Sequence, residues 1–480
     1  MVFGVNAKVF FGGARGRSKL PGASFVPSAS AARIAEGPAA VISVLLLPSR
    51  AGSFNSKGRD VTARIVLMLF LIFFFLDLGW EFTLTLLNLG HVRKNAAAVP
   101  AAFAGIVDAE THARSVSYTL VHGRFGLISG AVSSAALLAI VLTGFLGFLD
   151  SAARSLPLHP YFQGILFMAA VSLVFGVIRL PFSVYSIFVI EARFGFNRTT
   201  PKLFVIDMLK GLAISAVIGI PVLLALFWFM DRTGPFWWIW AFGAMTAFQL
   251  IMSILAPLVI APMFNKFTPL PDGPLKNRIM DLASRLGFRA KGIFVVDSSK
   301  RSRHSNAYFT GLGRAKRIVL FDTLVSSHTE EEIVSVLAHE IGHEKRNHIK
   351  KGLAISVALS LVGFWILSLL VHWTPLYQAF GFAQPGYHSL LVLLAFCSGP
   401  FTFFLQPLFT VRSRRQEYEA DRFAVQGVGS AAGLKSALLR LSKDNLSNLS
   451  PHPLYSFFHY SHPTLAERLA ALDRAEASLT

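Results

Sequence analysis

Seven long apolar runs constrain the fold of this chain more than any other feature. A helix needs about 20 consecutive, mostly apolar residues to cross the hydrocarbon core of a bilayer. Seven runs are long enough, and they lie at roughly 63–87, 124–149, 161–190, 204–230, 236–262, 353–372 and 389–411. A further apolar run at 41–48 is too short to cross. The sequence therefore predicts an α-helical integral membrane protein with seven transmembrane helices.

The composition supports a membrane location. Of the 480 residues, 53% are hydrophobic and 15% are charged, whereas about 25% are charged in a typical soluble domain. The formal net charge is +19, but much of the excess flanks the apolar runs, where Lys and Arg set topology and contact anionic lipid headgroups. We therefore expect the lipid bilayer as a partner and no nucleic acid. Cys397 is the single cysteine, which excludes an intrachain disulfide and a cysteine-based metal cluster.

The distribution of polar residues divides the chain into five segments. Residues 1–60 are rich in Gly, Ala, Ser and Arg and are predicted to be a disordered N-terminal extension. Five spans follow in 61–262, and the last two lie in 353–411. The polar segments 263–352 and 412–480 are predicted to form the two parts of one soluble lobe.

Both parts of this lobe fall on one side of the membrane, because two spans separate them. The loops on that side carry more Lys and Arg than the loops on the other side, so the positive-inside rule places the lobe in the cytoplasm. The basic extension 1–60 would then lie outside, against the rule, which leaves open whether its start is native. Asp207 and Lys210, near the start of the fourth span, are expected either to line a polar chamber or to lie at the interface.

The candidate chemistry centres on the pattern His-Glu-x-x-His in the first part of the lobe. Thr329 and Glu332 form a predicted capping box that begins a helix. His339 and His343 are one turn apart on this helix, so their imidazoles can bind one metal ion. Glu340 can then hydrogen-bond a metal-bound water and act as general base. The alternative interpretation is a chance match on a charged helix.

A third ligand must come from elsewhere in the chain, and the segment after the seventh span offers one. Glu417 and Asp421 are four residues apart and share a helix face. Glu417 could complete a site with two histidines, while Asp421 could orient a ligand histidine. The alternative interpretation is a solvated face of Arg and Glu side chains. The sixth and seventh spans form a hairpin, however, so the helix with His343 and the helix with Glu417 meet the membrane at the same surface. His348 is predicted to be a solvated or interfacial histidine.

These motifs together resemble the type I CAAX prenyl proteases, membrane zinc endopeptidases of the a-factor converting type. The resemblance covers about 90–480 and excludes 1–60. It is carried, in chain order, by Arg193-Phe194-Gly195-Phe196-Asn197-Arg198-Thr199-Thr200, Phe264-Asn265-Lys266-Phe267, Ser305-Asn306-Ala307-Tyr308-Phe309, Arg317-Ile318-Val319-Leu320-Phe321-Asp322-Thr323, the His339–His343 motif, Glu417-Tyr418-Glu419-Ala420-Asp421, Tyr460-Ser461-His462-Pro463-Thr464 and Glu467-Arg468. It implies seven helices forming a barrel around a chamber, capped by a zinc-protease lobe that contains a small β-sheet.

The resemblance also implies roles for individual residues. One zinc ion per chain would be held by His339, His343 and Glu417, with Glu340 as the base. Asn306 and Ala307 would lie on an edge strand that pairs with the substrate, since an edge strand binds an extended peptide through its main chain. His462 would stabilise the developing oxyanion.

The predicted function is therefore a membrane zinc metalloendopeptidase acting on peptides or membrane-associated proteins, as a monomer. Two alternatives are a quality-control metalloprotease of the heat-shock type and a catalytically silent scaffold or transporter. The loops look bacterial, so the predicted location is a bacterial inner membrane with the active site on the cytoplasmic side, where prenylated substrates are not expected.

Overall fold

The computed structural model describes residues 57–288, 291–310 and 317–479. The apolar run 41–48 and most of the extension 1–60 lie outside the described residues. The first helix begins at Lys57, inside the stretch predicted to be the N-terminal extension.

Within the described residues, seven helices are long and apolar enough to cross a membrane. They are Val61–Lys94, Ala109–Leu142, Pro160–Glu191, Pro201–Arg232, Gly234–Phe264, His348–Leu370 and Tyr387–Val428. The predicted number of spans is thus confirmed. Their broad apolar surfaces are typical of helices that face lipid.

The helices are numbered here in chain order. They are α1 (Lys57–Lys94), α2 (Ala109–Leu142), α3 (Phe145–Arg154), α4 (Pro160–Tyr185), α5 (Pro201–Arg232), α6 (Trp237–Leu255), α7 (Ala261–Phe264), α8 (Pro274–Arg285), α9 (Asp322–Ser327), α10 (Glu330–Lys345), α11 (His348–Leu370), α12 (Thr374–Ala379), α13 (Tyr387–Thr402), α14 (Gln406–Val428), α15 (Ala432–Asp444), α16 (Pro453–His459) and α17 (Leu465–Ala477). Short π-helical segments extend α4 over Ser186–Glu191 and join α6 to α7 over Ala256–Ile260.

The second span differs from its prediction at both ends. Asp108 caps the start of α2 by accepting a hydrogen bond from Thr111 N at 2.7 Å, well before the predicted start at 124. The helix ends at Leu142, and Gly144 follows with a φ of 73°. Glycine adopts this left-handed conformation without a Cβ penalty, so the apolar residues after it belong to the separate helix α3.

The seventh span continues beyond its predicted end into the lobe. Helix α13 passes through a short 3₁₀ turn at Phe403–Leu405 directly into α14. The predicted end of the span, at 411, lies within α14. Glu417 is therefore carried on a helix that runs out of the membrane.

The lobe contains the small β-sheet that the resemblance implied. Its strands are β1 (Phe267–Pro269), β2 (Ile293–Val296), β3 (Ala307–Thr310) and β4 (Arg317–Phe321), in the order β1-β2-β4-β3. The β2–β4 pair is parallel and the two outer pairs are antiparallel. One hydrophobic core joins this sheet to α8, α10 and α14, with the buried side chains Ile318, Leu320, Leu337 and Ile341 among its members. Strand β3 lies at an edge of the sheet.

A buried ion pair attaches the lobe to the fourth span. Arg301 donates from Nε to Asp207 Oδ2 at 2.8 Å and from Nη2 to Asp207 Oδ1 at 3.0 Å. The same guanidinium donates to Asn265 Oδ1 and to the carbonyl of Phe264. Asp207 is 3% exposed, so neither the chamber nor the interface expected from the sequence describes it. Its charge is satisfied by a lobe residue far away in the chain.

Candidate metal centre

The helix that carries the two histidines begins as the sequence predicted. Thr329 Oγ1 accepts a hydrogen bond from Glu332 N at 3.3 Å, and Glu332 Oε2 accepts one from Thr329 N at 2.8 Å. These are the two halves of a capping box. Helix α10 then runs through the lobe core, with His339 buried and His343 partly buried.

A close approach between α10 and α14 brings the candidate ligands together. A Cβ built on Gly342 would lie 3.0 Å from the Cα and 3.1 Å from the carbonyl oxygen of Ala420. Since these are backbone atoms, a larger residue at this position would push the helices apart. Gly342 thus lets Glu417, one turn before the crossing, reach both histidines.

The side chains of His339, His343 and Glu417 converge on one point. Their ligand atoms all lie within 4.8 Å of one another. The two Nε2 atoms are 3.1 Å apart, Glu417 Oε1 is 3.3 Å from His343 Nε2, and Glu417 Oε2 is 3.5 Å from His339 Nε2. Two ligands bound at about 2.0–2.1 Å to a tetrahedral zinc ion are roughly 3.3 Å apart.

The polar atoms of this cluster also fit a metal. Glu417 is 4% exposed, and its Oε2 is a buried acceptor with no hydrogen bond of good geometry among the described residues, although His462 Nδ1 lies 2.8 Å away. A buried carboxylate oxygen of this kind is costly unless a cation or donor satisfies it. Two imidazoles and one carboxylate are also the ligand types that zinc prefers.

A carboxylate and a guanidinium support His339 from behind. Its Nδ1 lies 2.7 Å from Asp421 Oδ1, and Arg468 donates from Nε to Asp421 Oδ2 at 2.9 Å. Burial lowers the pKa of His339, but the neighbouring Asp421 and Glu417 carboxylates outweigh burial and raise it to about 9. The Asp421 contact fixes the proton of a neutral His339 on Nδ1, which leaves Nε2 free as a ligand. Arg468, absent from the predicted site, orients Asp421.

Glu340 lies between the two histidines in sequence and beside them in space. Burial raises the pKa of its carboxyl, while the positive charges of His339 and His343 act in the opposite direction and are outweighed. A carboxylate made more basic in this way is better suited to accept a proton near neutral pH.

The prediction that His348 is a solvated or interfacial histidine is wrong. It is 5% exposed, and its Nδ1 lies 3.0 Å from His343 Nδ1. The reason is a backbone reversal at Asn347, whose φ of 56° and ψ of 31° lie in the left-handed region. This residue caps the start of α11, so that His348, the first residue of that helix, lies beside His343. An Asn between two helical patterns was the one sequence signal for this turn.

The remaining predicted residues lie around this centre. His462 is on the loop before α17, with its side chain 61% exposed and its Nδ1 2.8 Å from Glu417 Oε2. Ala307 is the first residue of edge strand β3. Asn306 precedes it, and its Oδ1 accepts a hydrogen bond from Ala307 N at 2.8 Å, while its carbonyl accepts one from Phe321 N at 3.1 Å.

Comparison with known proteins accounts for nearly all of the chain from the end of α1 onward. Residues 88–266 match the CAAX prenyl protease N-terminal model of five membrane helices, and residues 269–476 match peptidase family M48. A CAAX prenyl protease 1 homolog from Oryza sativa subsp. japonica is 38% identical over 81% of this chain and 93% of the relative. CAAX prenyl protease 1 of Saccharomyces cerevisiae is 42% identical over 65% of this chain and 72% of the relative.

A solved structure agrees with these sequence matches. The crystal structure of S. mikatae Ste24p superposes with a TM-score of 0.80 and 35% identity, covering 85% of this chain and 99% of that structure. This match spans both the membrane helices and the lobe. The chain belongs to peptidase family M48, as a multi-pass membrane metalloendopeptidase of the CAAX prenyl protease 1 family.

Proposed function

We propose that this protein binds one zinc ion through His339, His343 and Glu417 and uses it to hydrolyse peptide bonds. The observation that carries this proposal is the convergence of three ligand atoms at separations of 3.1 to 3.5 Å on two crossing helices. Asp421, on the same helix as Glu417, holds the proton of His339 on the nitrogen away from the site.

When bound, zinc supplies a Lewis acid that polarises the scissile carbonyl and makes water a better nucleophile. Glu340 accepts the proton of the attacking water and passes it to the departing amine. The exposed imidazole of His462 can donate a hydrogen bond to the carbonyl oxygen as negative charge develops there. His339 and Glu417 are buried and Glu340 is partly buried, so these charges act in a medium of lower dielectric constant than water.

The substrate is proposed to bind as an additional strand beside β3. This strand pairs with β4 on one side, and it lies at the end of the sheet order. An extended peptide can pair with such an edge through its main chain. The Ala307 N–H donates a hydrogen bond to Asn306 Oδ1. A substrate carbonyl oxygen would replace Asn306 Oδ1 as the acceptor on binding.

The relatives are named for CAAX prenyl substrates, and we propose a membrane-associated protein with such a C-terminal motif as the first substrate to test. A broader role in clearing membrane proteins is the second candidate, supported by a substrate edge whose main-chain contacts do not depend on one side chain. The excess of Lys and Arg in the lobe-side loops supports a cytoplasmic position for the lobe. The monomeric state stays a prediction. The bacterial location also stays a prediction, and cleavage of a prenylated CAAX substrate would argue against it.

The decisive experiment compares two variants of the purified full-length protein in detergent. Glu340→Gln should keep one zinc ion per chain and lose at least about 10²-fold in peptidase activity, because the base is removed and the ligands remain. Glu417→Ala should lose bound zinc, measured by elemental analysis. A CAAX-containing peptide, with and without a prenyl group, serves as substrate.

A matched control is Asp281→Asn, which removes a carboxylate that is 67% exposed and pairs with Arg285 on the lobe surface. It should leave zinc content and activity unchanged. Full activity in the Glu340→Gln protein would end the proposed mechanism. Stoichiometric zinc in the Glu417→Ala protein would show that Glu419 or another acid is the ligand.

A further inference from the structure

His348 connects a candidate zinc ligand to a carboxylate on the lobe surface. Its Nδ1 lies 3.0 Å from His343 Nδ1, and its Nε2 lies 3.0 Å from Glu419 Oε2. The rings of His343 and His348 meet edge to face, with centroids 5.1 Å apart. His348 is buried, whereas the side chain of Glu419 is half exposed. The three side chains form one continuous chain of hydrogen bonds.

If His343 binds the metal, the protons in this series of hydrogen bonds can be assigned in only one way. A neutral imidazole has one donor nitrogen and one acceptor nitrogen. Binding through Nε2 leaves that atom without a proton, so Nδ1 of His343 must be the donor. Nδ1 of His348 must then be the acceptor, which places the proton of His348 on Nε2. That proton points at Glu419 Oε2, and every donor has one acceptor.

We propose that His348 is a positioning residue that fixes the tautomer and the ring orientation of His343, and that Glu419 fixes His348 in turn. This inference rests on the zinc site proposed above. Ligand histidines usually donate their second nitrogen to a carboxylate, a backbone carbonyl or water. Here an imidazole takes that place and passes the contact on to a carboxylate.

The helices place these residues together for a simple geometric reason. Helix α14 carries Glu417, Glu419 and Asp421 at alternate positions, so Glu417 and Asp421 share one face and Glu419 projects to the side. On that side the left-handed residue Asn347 returns the chain, and His348 fills the gap between His343 and Glu419. One helix therefore supplies a ligand and the supports of both ligand histidines.

The two supports are not equal in strength. Asp421 contacts His339 directly, is 2% exposed and is held by Arg468. His343 contacts the neutral ring of His348, and His348 in turn contacts the half-exposed carboxylate of Glu419. We therefore expect His348 to matter more for zinc binding than Glu419 does, since water can replace an exposed carboxylate as acceptor.

The test measures the affinity of the full-length protein for zinc by competition with a chelator. His348→Phe keeps the ring volume and removes both hydrogen bonds, so the Kd for zinc should rise about 10- to 100-fold. His348→Asn places an acceptor oxygen near the position of Nδ1 and should recover part of this loss. Glu419→Gln keeps an acceptor and should change the Kd less than tenfold, and the surface variant Asp281→Asn should not change it.

A second readout reports ligand geometry without relying on activity. The absorption spectrum of the Co(II)-substituted protein should differ between wild type and His348→Phe, and it should return toward wild type in His348→Asn. Wild-type Kd and wild-type spectrum in His348→Phe would overturn the inference. If that variant does not fold, His348→Leu serves in its place, because Leu also offers no acceptor to His343, and unchanged zinc affinity in His348→Leu overturns the inference.

The two proposals fail in different ways. A wild-type protein that binds no zinc, or a fully active Glu340→Gln variant, would refute the proposed function. A wild-type protein that binds zinc and depends on Glu340, combined with His348 variants that bind zinc normally, would refute the positioning role alone.

Discussion

Among the described residues, an aspartate, a histidine and an arginine meet at two places that lie on opposite sides of the membrane. In the metal centre, Asp421 lies between His339 and Arg468. On the side of the membrane away from the lobe, Asp150 of α3 lies between His388, at the start of the seventh span, and Arg154. We name these the lobe triad (Asp421, His339, Arg468) and the far triad (Asp150, His388, Arg154).

The contacts within the two triads are nearly the same. The histidine–aspartate distance is 2.7 Å in the lobe triad and 2.6 Å in the far triad. In both, the arginine donates to both carboxylate oxygens of the aspartate. Both aspartates are almost fully buried. The carboxylate geometry alone therefore does not distinguish a metal centre from a structural clamp.

The difference lies at the second nitrogen of each histidine. Nε2 of His339 faces His343 and Glu417, so a cation can sit among three ligands. Nδ1 of His388 faces α4, and a Cβ built on Gly164 would lie only 2.8 Å from it. On that side the ring packs closely against the backbone of α4 at Gly164 and not against further ligand side chains such as those around His339. The far triad thus clamps α3 to the start of the seventh span, whereas the lobe triad positions a candidate metal ligand.

The largest expected effect is the loss of folding stability when the far triad is broken. Asp150→Ala leaves the histidine and the arginine without their shared acceptor, and breaking a buried ion pair costs about 3 kcal/mol of folding free energy. We expect a lower thermal unfolding midpoint in detergent and an unchanged zinc content at low temperature. Loss of zinc without loss of stability would show that the two triads are coupled.

The next effect concerns the lobe triad. Asp421→Asn keeps the shape of the side chain but weakens the contact that holds the proton of His339 on Nδ1. The Kd for zinc should rise 10- to 100-fold, which is roughly 1.4 to 2.7 kcal/mol of binding free energy. Chelator competition measures this change. An unaltered Kd would remove the functional distinction between the triads.

The smallest effect tests the packing around His388. Gly164→Ala places a methyl group 2.8 Å from Nδ1 and 3.1 Å from Cβ of His388, and overpacking of this kind costs about 1–2 kcal/mol. Gly176→Ala is the matched control on the same helix, because a Cβ there meets nothing within 4 Å. The first variant should lower the unfolding midpoint and the second should not. Equal midpoints would show that α4 shifts easily at this contact.

Much of the fold follows from local properties of the sequence. Seven spans, a small sheet and a capped helix carrying His339 and His343 were predicted from run length, family motifs and spacing, and the structure has them. The roles of Glu340, Glu417, His462, Asn306 and Ala307 stay predictions, although the structure places these residues around one centre or at the sheet edge. The end of the second span was mispredicted because Gly144 interrupts an apolar stretch that hydropathy alone treats as continuous.

Sequence alone determined how many spans the chain has and which two histidines share a helix face, because both depend on residues close together in the chain. The tertiary structure decided the partners of those residues. Glu419 reaches His348 from 71 residues away, and Asp207 reaches Arg301 across 94. Such contacts depend on how helices cross and where the backbone reverses, as at Gly342 and Asn347. Hydropathy and periodicity describe one helix at a time. They predicted the metal motif, and the topology of the hairpin added Glu417 and Asp421, but neither predicted the contacts of Arg468 and His348 that complete the network.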